Sequence, residues 1–414
     1  MQMQTADERP RAETKREVPP AVWASTTYFA EGLPYSLVHQ LAAQQYLTAV
    51  GLAPELVGLA SLLHVPWLLK FVWAPVVDGT STAKRWMVAA LVLLAACAGG
   101  MAFAAAELGS SAVLWVLVVT AFVAATSDIA IDGYYIRSLD QAKQTALSGV
   151  RIGAFRLAML FGSGALVTLA GVTSFSVSFL VVAGVLLVLA LLHALMLRSD
   201  SRPVASASIT TVRTTAREAM RGFFSRPGIA LAVVLIMTYR AGDALLFAMN
   251  AKFLSSLGLD TAMRGVVNGT FGTAASIGGS LLGGIVIAKV GFKRAFFPIT
   301  VLQASALLMY AGLAVATPSL PVIAVVVVLE QLIAGIGTAA FTVFLLRLCH
   351  GPQKASHFAL ASSLMSIAVT AAGASSGFLF VGLGSTWFFV VAFLVAIPGV
   401  VLAAVVDVGA KAES

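Results

Sequence analysis

The stretch VLWVLVVTAFVAATSDIAIDGYYI (113–136) decides what kind of chain this is. It carries no charge from Val113 to Ser127, and its apolar residues run on without the period-2 alternation of a membrane barrel strand. With about 20 residues needed to cross the hydrocarbon core as a helix, the run predicts a transmembrane helix. Near its end stand Asp128 and Asp132, four residues apart and therefore on one helix face. An acid at membrane depth is costly, so each is a candidate for function as well as for a buried structural ion pair.

The rest of the chain reads the same way. Of 414 residues, 59% are hydrophobic and only 11% charged, about half the charged share of a soluble domain. An all-α membrane protein is expected, with twelve transmembrane helices at roughly 21–46, 54–77, 86–106, 111–137, 147–172, 174–197, 227–256, 264–289, 295–316, 319–348, 354–382 and 385–407. The net charge of +8 does not indicate nucleic acid, because the basic residues fall in alternate loops. Arg9, Arg11, Lys15 and Arg16, then Lys84 and Arg85, then Arg137, Lys143 and Arg151 mark one side, while the loops at 47–53, 107–110, 173, 317–318 and 383–384 lack Lys and Arg. The loop bounded by Lys252 and Arg264 breaks the pattern. By the positive-inside rule both termini are cytoplasmic, in a multi-pass protein of the inner membrane.

Residues 1–20 are expected to be a disordered cytoplasmic tail and 408–414 a second one. The polar segment 198–226 is expected to be a cytoplasmic linker between two six-helix halves, 21–197 and 227–407. Within it Arg213, Arg217 and Arg221 recur every four residues, as in a helix on an anionic leaflet or in a solvated linker. GLAPELVGL (51–59) and GLDTAMRGV (258–266) share the pattern G-L-x5-G at the same place in each half, a faint parallel repeat of the kind transporters carry.

The acids deep inside the predicted helices are Glu31 in helix 1, Asp128 and Asp132 in helix 4, Asp243 in helix 7 and Glu330 in helix 10. Glu31, Asp128 and Asp132 are the candidates for proton coupling. Helix 5, SGVRIGAFRLAM (148–159), offers Arg151 and Arg156 as partners, so a structural Asp–Arg clasp and a functional role stand side by side for Asp132. Arg240 either pairs with Asp243 or meets an anionic substrate group, for which its planar fork is suited. The substrate-binding candidates are Tyr28, Tyr35, Tyr134, Tyr239, Arg240, Asp243, Asn250, Glu330 and Gln331, with Gln303 beside them. His64 is a candidate proton relay or a hydrogen-bonded structural group. Cys97 and Cys349 are expected to be inert thiols, and the only nucleophile-and-base cluster, Cys349 with His350 and His357, is a weak basis for an acyl-transferring enzyme. No phosphate loop or zinc spacing occurs, so no cofactor or metal is expected, and uphill movement must draw on an ion gradient.

YFAEGLP (28–34), PWLLKFVWAPVVD (66–78) and TSDIAIDG (126–133) together resemble the peptide/acetyl-coenzyme A/drug transporter family of the major facilitator superfamily, in its AmpG-like permease branch. The resemblance implies the major facilitator fold, with helices 1, 4, 7 and 10 lining a central cavity. It also carries over Lys70, Trp73, Pro75 and Asp78 at the end of helix 2, where Lys70 and Asp78 are expected in gating or structural ion pairs, as are Arg151 and Arg156. The implied function is proton-coupled import of an anhydro-muropeptide or related amino-sugar compound by a monomer, the alternative being a siderophore permease. Ser127 departs from the family's usual Gln, Glu31 stands at a Ser-like position, and there is room for twelve helices and not fourteen.

Overall fold

The computed structural model describes residues 18–199, 220–316, 318–349 and 354–406; the linker arginines Arg213 and Arg217 and the loop residue His350 lie outside them. The described residues form no strand. Their helices are α1 (20–49), α2 (54–80), α3 (Ala83–Leu108), α4 (Ser110–Ser138), α5 (Gln141–Val172), α6 (Phe175–Met196), α7 (Ile229–Ser256), α8 (Thr261–Val290), α9 (Phe292–Val315), α10 (Leu320–Leu348), α11 (354–383) and α12 (385–405). Ten continuous helices are long and apolar enough to cross a membrane, and the last of these, Ser356–Val405, turns at Gly384 into α11 and α12. Gly384 makes that turn because its φ of 71° lies in the left-handed region that a Cβ disfavours. The remaining rod is α1, which is long enough but more polar, because it carries Glu31, His39 and three glutamines.

Large apolar side chains cover the outside of the bundle: Trp115, Leu195 and Val315 are each about three-quarters exposed, at 75%, 75% and 74%. In water this would be a large uncovered patch, whereas lipid is its natural solvent.

Several helices depart from regular geometry where they approach the interior. Pro34 cannot donate to the carbonyl one turn back. Beyond it α1 widens into a π-helical stretch, Leu37–Tyr46. Similar stretches occur at Phe161–Leu166 in α5 and Gly265–Gly272 in α8. In α7 the helix is interrupted at Arg240 (φ −106°, ψ 2°), between Ile229–Tyr239 and Ala241–Ser256.

The faint sequence repeat has a structural counterpart. Gly51 and Gly258 both adopt positive φ, 75° and 90°, at the turns into α2 and α8. Seven residues on, Gly58 and Gly265 each sit where a Cβ would strike the opposite half: Gly58 against Gly377 and Ser376 of α11, Gly265 against Thr168 of α5. The two halves therefore meet through an α2–α11 and an α5–α8 crossing. Hydrogen bonds join them near the same end of the bundle. Ser163 Oγ donates to Gly269 O (3.2 Å), Gln44 Nε2 to Phe247 O (2.9 Å), and the buried Arg264 Nε to Gln45 Oε1 (2.9 Å). At the other end of α5, Gly149 and Gly153 have no atom within 4 Å of where a Cβ would stand. The halves are closed together at the end bearing the 50–53 and 257–260 turns, while Gly149 and Gly153 face open space toward the other end.

Candidate functional site

Four helices of the first half, α1, α2, α4 and α5, bring polar and charged side chains to one place. The four-residue spacing of Asp128 and Asp132 puts both on the inner face of α4. Lys70 of α2 donates from Nζ to Asp128 Oδ2. Arg151 of α5 pairs with Asp132 Oδ1 at 3.0 Å, and the Tyr28 hydroxyl of α1 donates to the same oxygen at 2.8 Å. The Arg151 guanidinium also lies over the Tyr28 ring, 4.5 Å from its centroid. Glu31, one turn along α1 from Tyr28, is half-buried and lines the adjoining cavity with Tyr28 and Arg151. Its Oε2 has no partner.

The charge count of this group decides what it can do. Three carboxyls face two cations, so with every group ionised one negative charge is left in a low-dielectric site, where it is costly. One proton removes it. Asp128 and Asp132 each have a cation in contact, whereas no ion pair to Glu31 is formed among the described residues.

Beside this group is an aromatic box. Tyr35 stacks on His39 with centroids 4.3 Å apart, His39 lies 5.4 Å from His64, and His64 stacks on Trp67 at 6.0 Å. Because a carbonyl only accepts, His39 Nδ1 is the donor to Tyr35 O (3.1 Å), which leaves Nε2 unprotonated in the neutral ring, buried and without a partner. Sequence reasoning singled out His64 and missed His39. The signal available was its four-residue spacing from Tyr35 on the same helix.

Two connected spaces run inward from these residues. One, of about 460 Å³, is lined by Tyr28, Glu31, Tyr35, Arg151 and Arg156 among others. The second, of about 280 Å³, lies between the halves and is lined by Tyr35, Arg156, Arg240, Asp243, Glu330 and Gln331 among others. Tyr35, Arg156 and Met159 belong to both. In the second half Arg240 donates from Nη1 to Thr338 Oγ1 at 2.9 Å, and Gln303 Nε2 bonds Asp243 Oδ2. Arg240 and Asp243 are not in ion-pair contact despite their spacing. Glu330 is 3% exposed, and its Oε2 has no partner.

Other candidates lie apart from this cavity. Tyr134 packs its ring edge-on to Trp23, 5.1 Å away. Tyr239 is buried against Phe341 and donates to Gly337 O at 3.0 Å. Asn250 is buried and donates to Tyr310 Oη at 3.1 Å. Asp78 pairs with Arg137 at 3.0 Å, tying the end of α2 to the end of α4, and Lys70 reaches deeper to Asp128. Arg156 makes no ion pair and faces the cavity, while Arg151 makes the clasp with Asp132. Of the Cys349–His350–His357 cluster, His357 Nδ1 accepts from Arg226 Nη2 at 2.7 Å.

A helical bundle in two halves, with a charged cavity between them and closed at one end, defines a secondary transporter. The model of the Major Facilitator Superfamily matches residues 24–317, and the chain belongs to that superfamily. It is similar to the anhydromuropeptide permease of Escherichia coli strain K12, with 28% identity over 382 residues that cover 90% of this chain and 77% of the permease. Among solved structures it is similar to the nucleoside transporter NupG (16% identity, TM-score 0.69, covering 92% of this chain and 97% of that one). A POT family transporter in complex with a thioalcohol-conjugated peptide is also similar (11% identity, TM-score 0.70, covering 92% and 94%).

Proposed function

We propose that this transporter is a proton-coupled importer of the inner membrane, with both termini cytoplasmic, that carries an anhydro-muropeptide or a related amino-sugar compound as a monomer. The observation that carries the coupling is the count of three carboxyls, Glu31, Asp128 and Asp132, against two cations, Lys70 and Arg151, at the mouth of the cavity. Glu31 takes and releases one proton per cycle, and Asp128 and Asp132 hold the cations around it. With basic loops on the cytoplasmic side, the closed α2–α11 and α5–α8 crossings lie outside and the cavity faces the cytoplasm. Rocking of 21–197 against 227–407 alternates access, with 198–226 as the cytoplasmic link. The amino-sugar assignment rests on similarity to the Escherichia coli permease, and one chain supplies both walls of the cavity, which suits a monomer.

The test is uptake of labelled N-acetylglucosaminyl-anhydro-N-acetylmuramyl peptide by proteoliposomes. An inward proton gradient should produce accumulation that collapses with a protonophore. Accumulation that persists without the gradient overturns the coupling, and absence of uptake by folded protein overturns the substrate.

A further inference from the structure

Arg156 of α5 and Arg240 at the break of α7 are the two cations on the walls of the central cavity, one from each half. Their situation differs from that of Lys70 and Arg151, each of which faces a carboxylate. Arg151, one turn and a half along the same helix, is neutralised by Asp132 at 3.0 Å. Arg156 makes no hydrogen bond or ion pair with a described residue, and Arg240 makes one neutral bond, to Thr338 Oγ1. The Tyr35 phenol lines the same cavity as both guanidiniums. Asp243 and Glu330, in the same half as Arg240, line the cavity too, and neither is in ion-pair contact with either arginine. Asp243 is engaged by Gln303, and Glu330 is withdrawn from solvent without ion-pair contact.

Two like charges on the walls of one cavity repel, and neither is in ion-pair contact with an acid. An anion bridging the pair removes that repulsion. Each guanidinium presents a planar set of donors that matches a carboxylate in bidentate fashion. Because the pair spans the two halves, one bound carboxylate draws α5 and α7 together, which is the motion needed to close the cavity from the open end.

The geometry points to a carboxylate clamp: Arg156 and Arg240 together bind one carboxylate of the transported molecule and make its occupancy favour closure of the halves. This deepens the importer reading by assigning an anionic group to the substrate, and it rests on that reading for the identity of the molecule. It is independent of proton coupling. The carboxylate has two possible sources, the lactyl acid of a muramic sugar or the C-terminus of a peptide, and the test separates them.

Purified protein in nanodiscs would be titrated by calorimetry with N-acetylglucosaminyl-anhydro-N-acetylmuramic acid and its primary amide, and then with a stem tripeptide carrying a free or an amidated C-terminus. The clamp predicts that at least one free acid binds ten-fold or more tightly than its amide. Arg156→Gln and Arg240→Gln should each erase that preference by weakening the free acid at least ten-fold more than its amide. Arg156→Lys and Arg240→Lys, which keep the charge but lose the fork, should retain part of it and serve where a Gln variant fails to fold. Equal binding of acid and amide in both pairs overturns the clamp. So does an acid preference that survives both substitutions. Binding of the sugar with no acid preference in either pair leaves the amino-sugar reading intact and sinks the clamp alone, whereas acid preference only in the peptide pair supports the clamp and removes the sugar as its anchor.

Discussion

The Tyr28 hydroxyl donates to Asp132 Oδ1 at 2.8 Å, and this bond ties α1 to α4 beside the one carboxyl, Glu31, that lacks a cation. The same oxygen accepts from Arg151, so Asp132 joins three helices. A group held this firmly serves to keep Arg151 in place, and the proposed coupling makes Glu31 the residue whose state changes.

Replacing Tyr28 by Phe removes a hydrogen bond to a charged group while keeping the ring under the Arg151 guanidinium. A loss of about 1.5–3 kcal/mol is expected. Thermal unfolding of Tyr28→Phe in detergent checks it, and an unchanged midpoint would show that water replaces the hydroxyl at no cost.

Asp128→Asn leaves Lys70 without its counter-charge at membrane depth. Breaking a buried pair from one side costs about 3–5 kcal/mol, whereas removing both partners costs much less. The double variant Lys70→Met with Asp128→Asn should therefore unfold at a higher temperature than Asp128→Asn alone. If the single and double variants are equally unstable, the pair contributes nothing.

Gly269 lies where any Cβ would collide with the backbone of Ser163 across the α5–α8 crossing. Gly269→Ala should force the crossing apart and shift the transporter from the cytoplasm-open to the outward-open state. Spin labels at Val50 and Asp260, in exposed turns of the two halves at the closed end, would report a longer distance in Gly269→Ala. An unchanged distance would mean that the closed end tolerates the methyl group.

The twelve helices were legible because each is an apolar run long enough to span a bilayer, interrupted by glycine, proline or charge. Gly384 and the polar composition of α1 were the difficult places, since one joins two runs and the other dilutes one. The Arg151–Asp132 clasp was within reach as one of two arginines on a neighbouring helix. Which arginine made it was not, because five residues on a helix separate two faces by an angle that only packing resolves. Lys70 and Asp128 are 58 residues apart, and their pairing depends on how α2 crosses α4. Tyr134 and Tyr239 read as cavity residues because helices apolar all round give no sign of which side faces inward. In the structure both are packed against aromatic rings.

The most direct test of the central claim, that Glu31 carries the coupled proton, compares two assays on Glu31→Gln in proteoliposomes. Glutamine keeps the shape and hydrogen bonding of a protonated glutamate but cannot release the proton. Accumulation of labelled amino-sugar substrate against its gradient should be lost, while exchange of internal for external substrate continues. Accumulation at the wild-type rate and the wild-type pH dependence in Glu31→Gln would contradict the account.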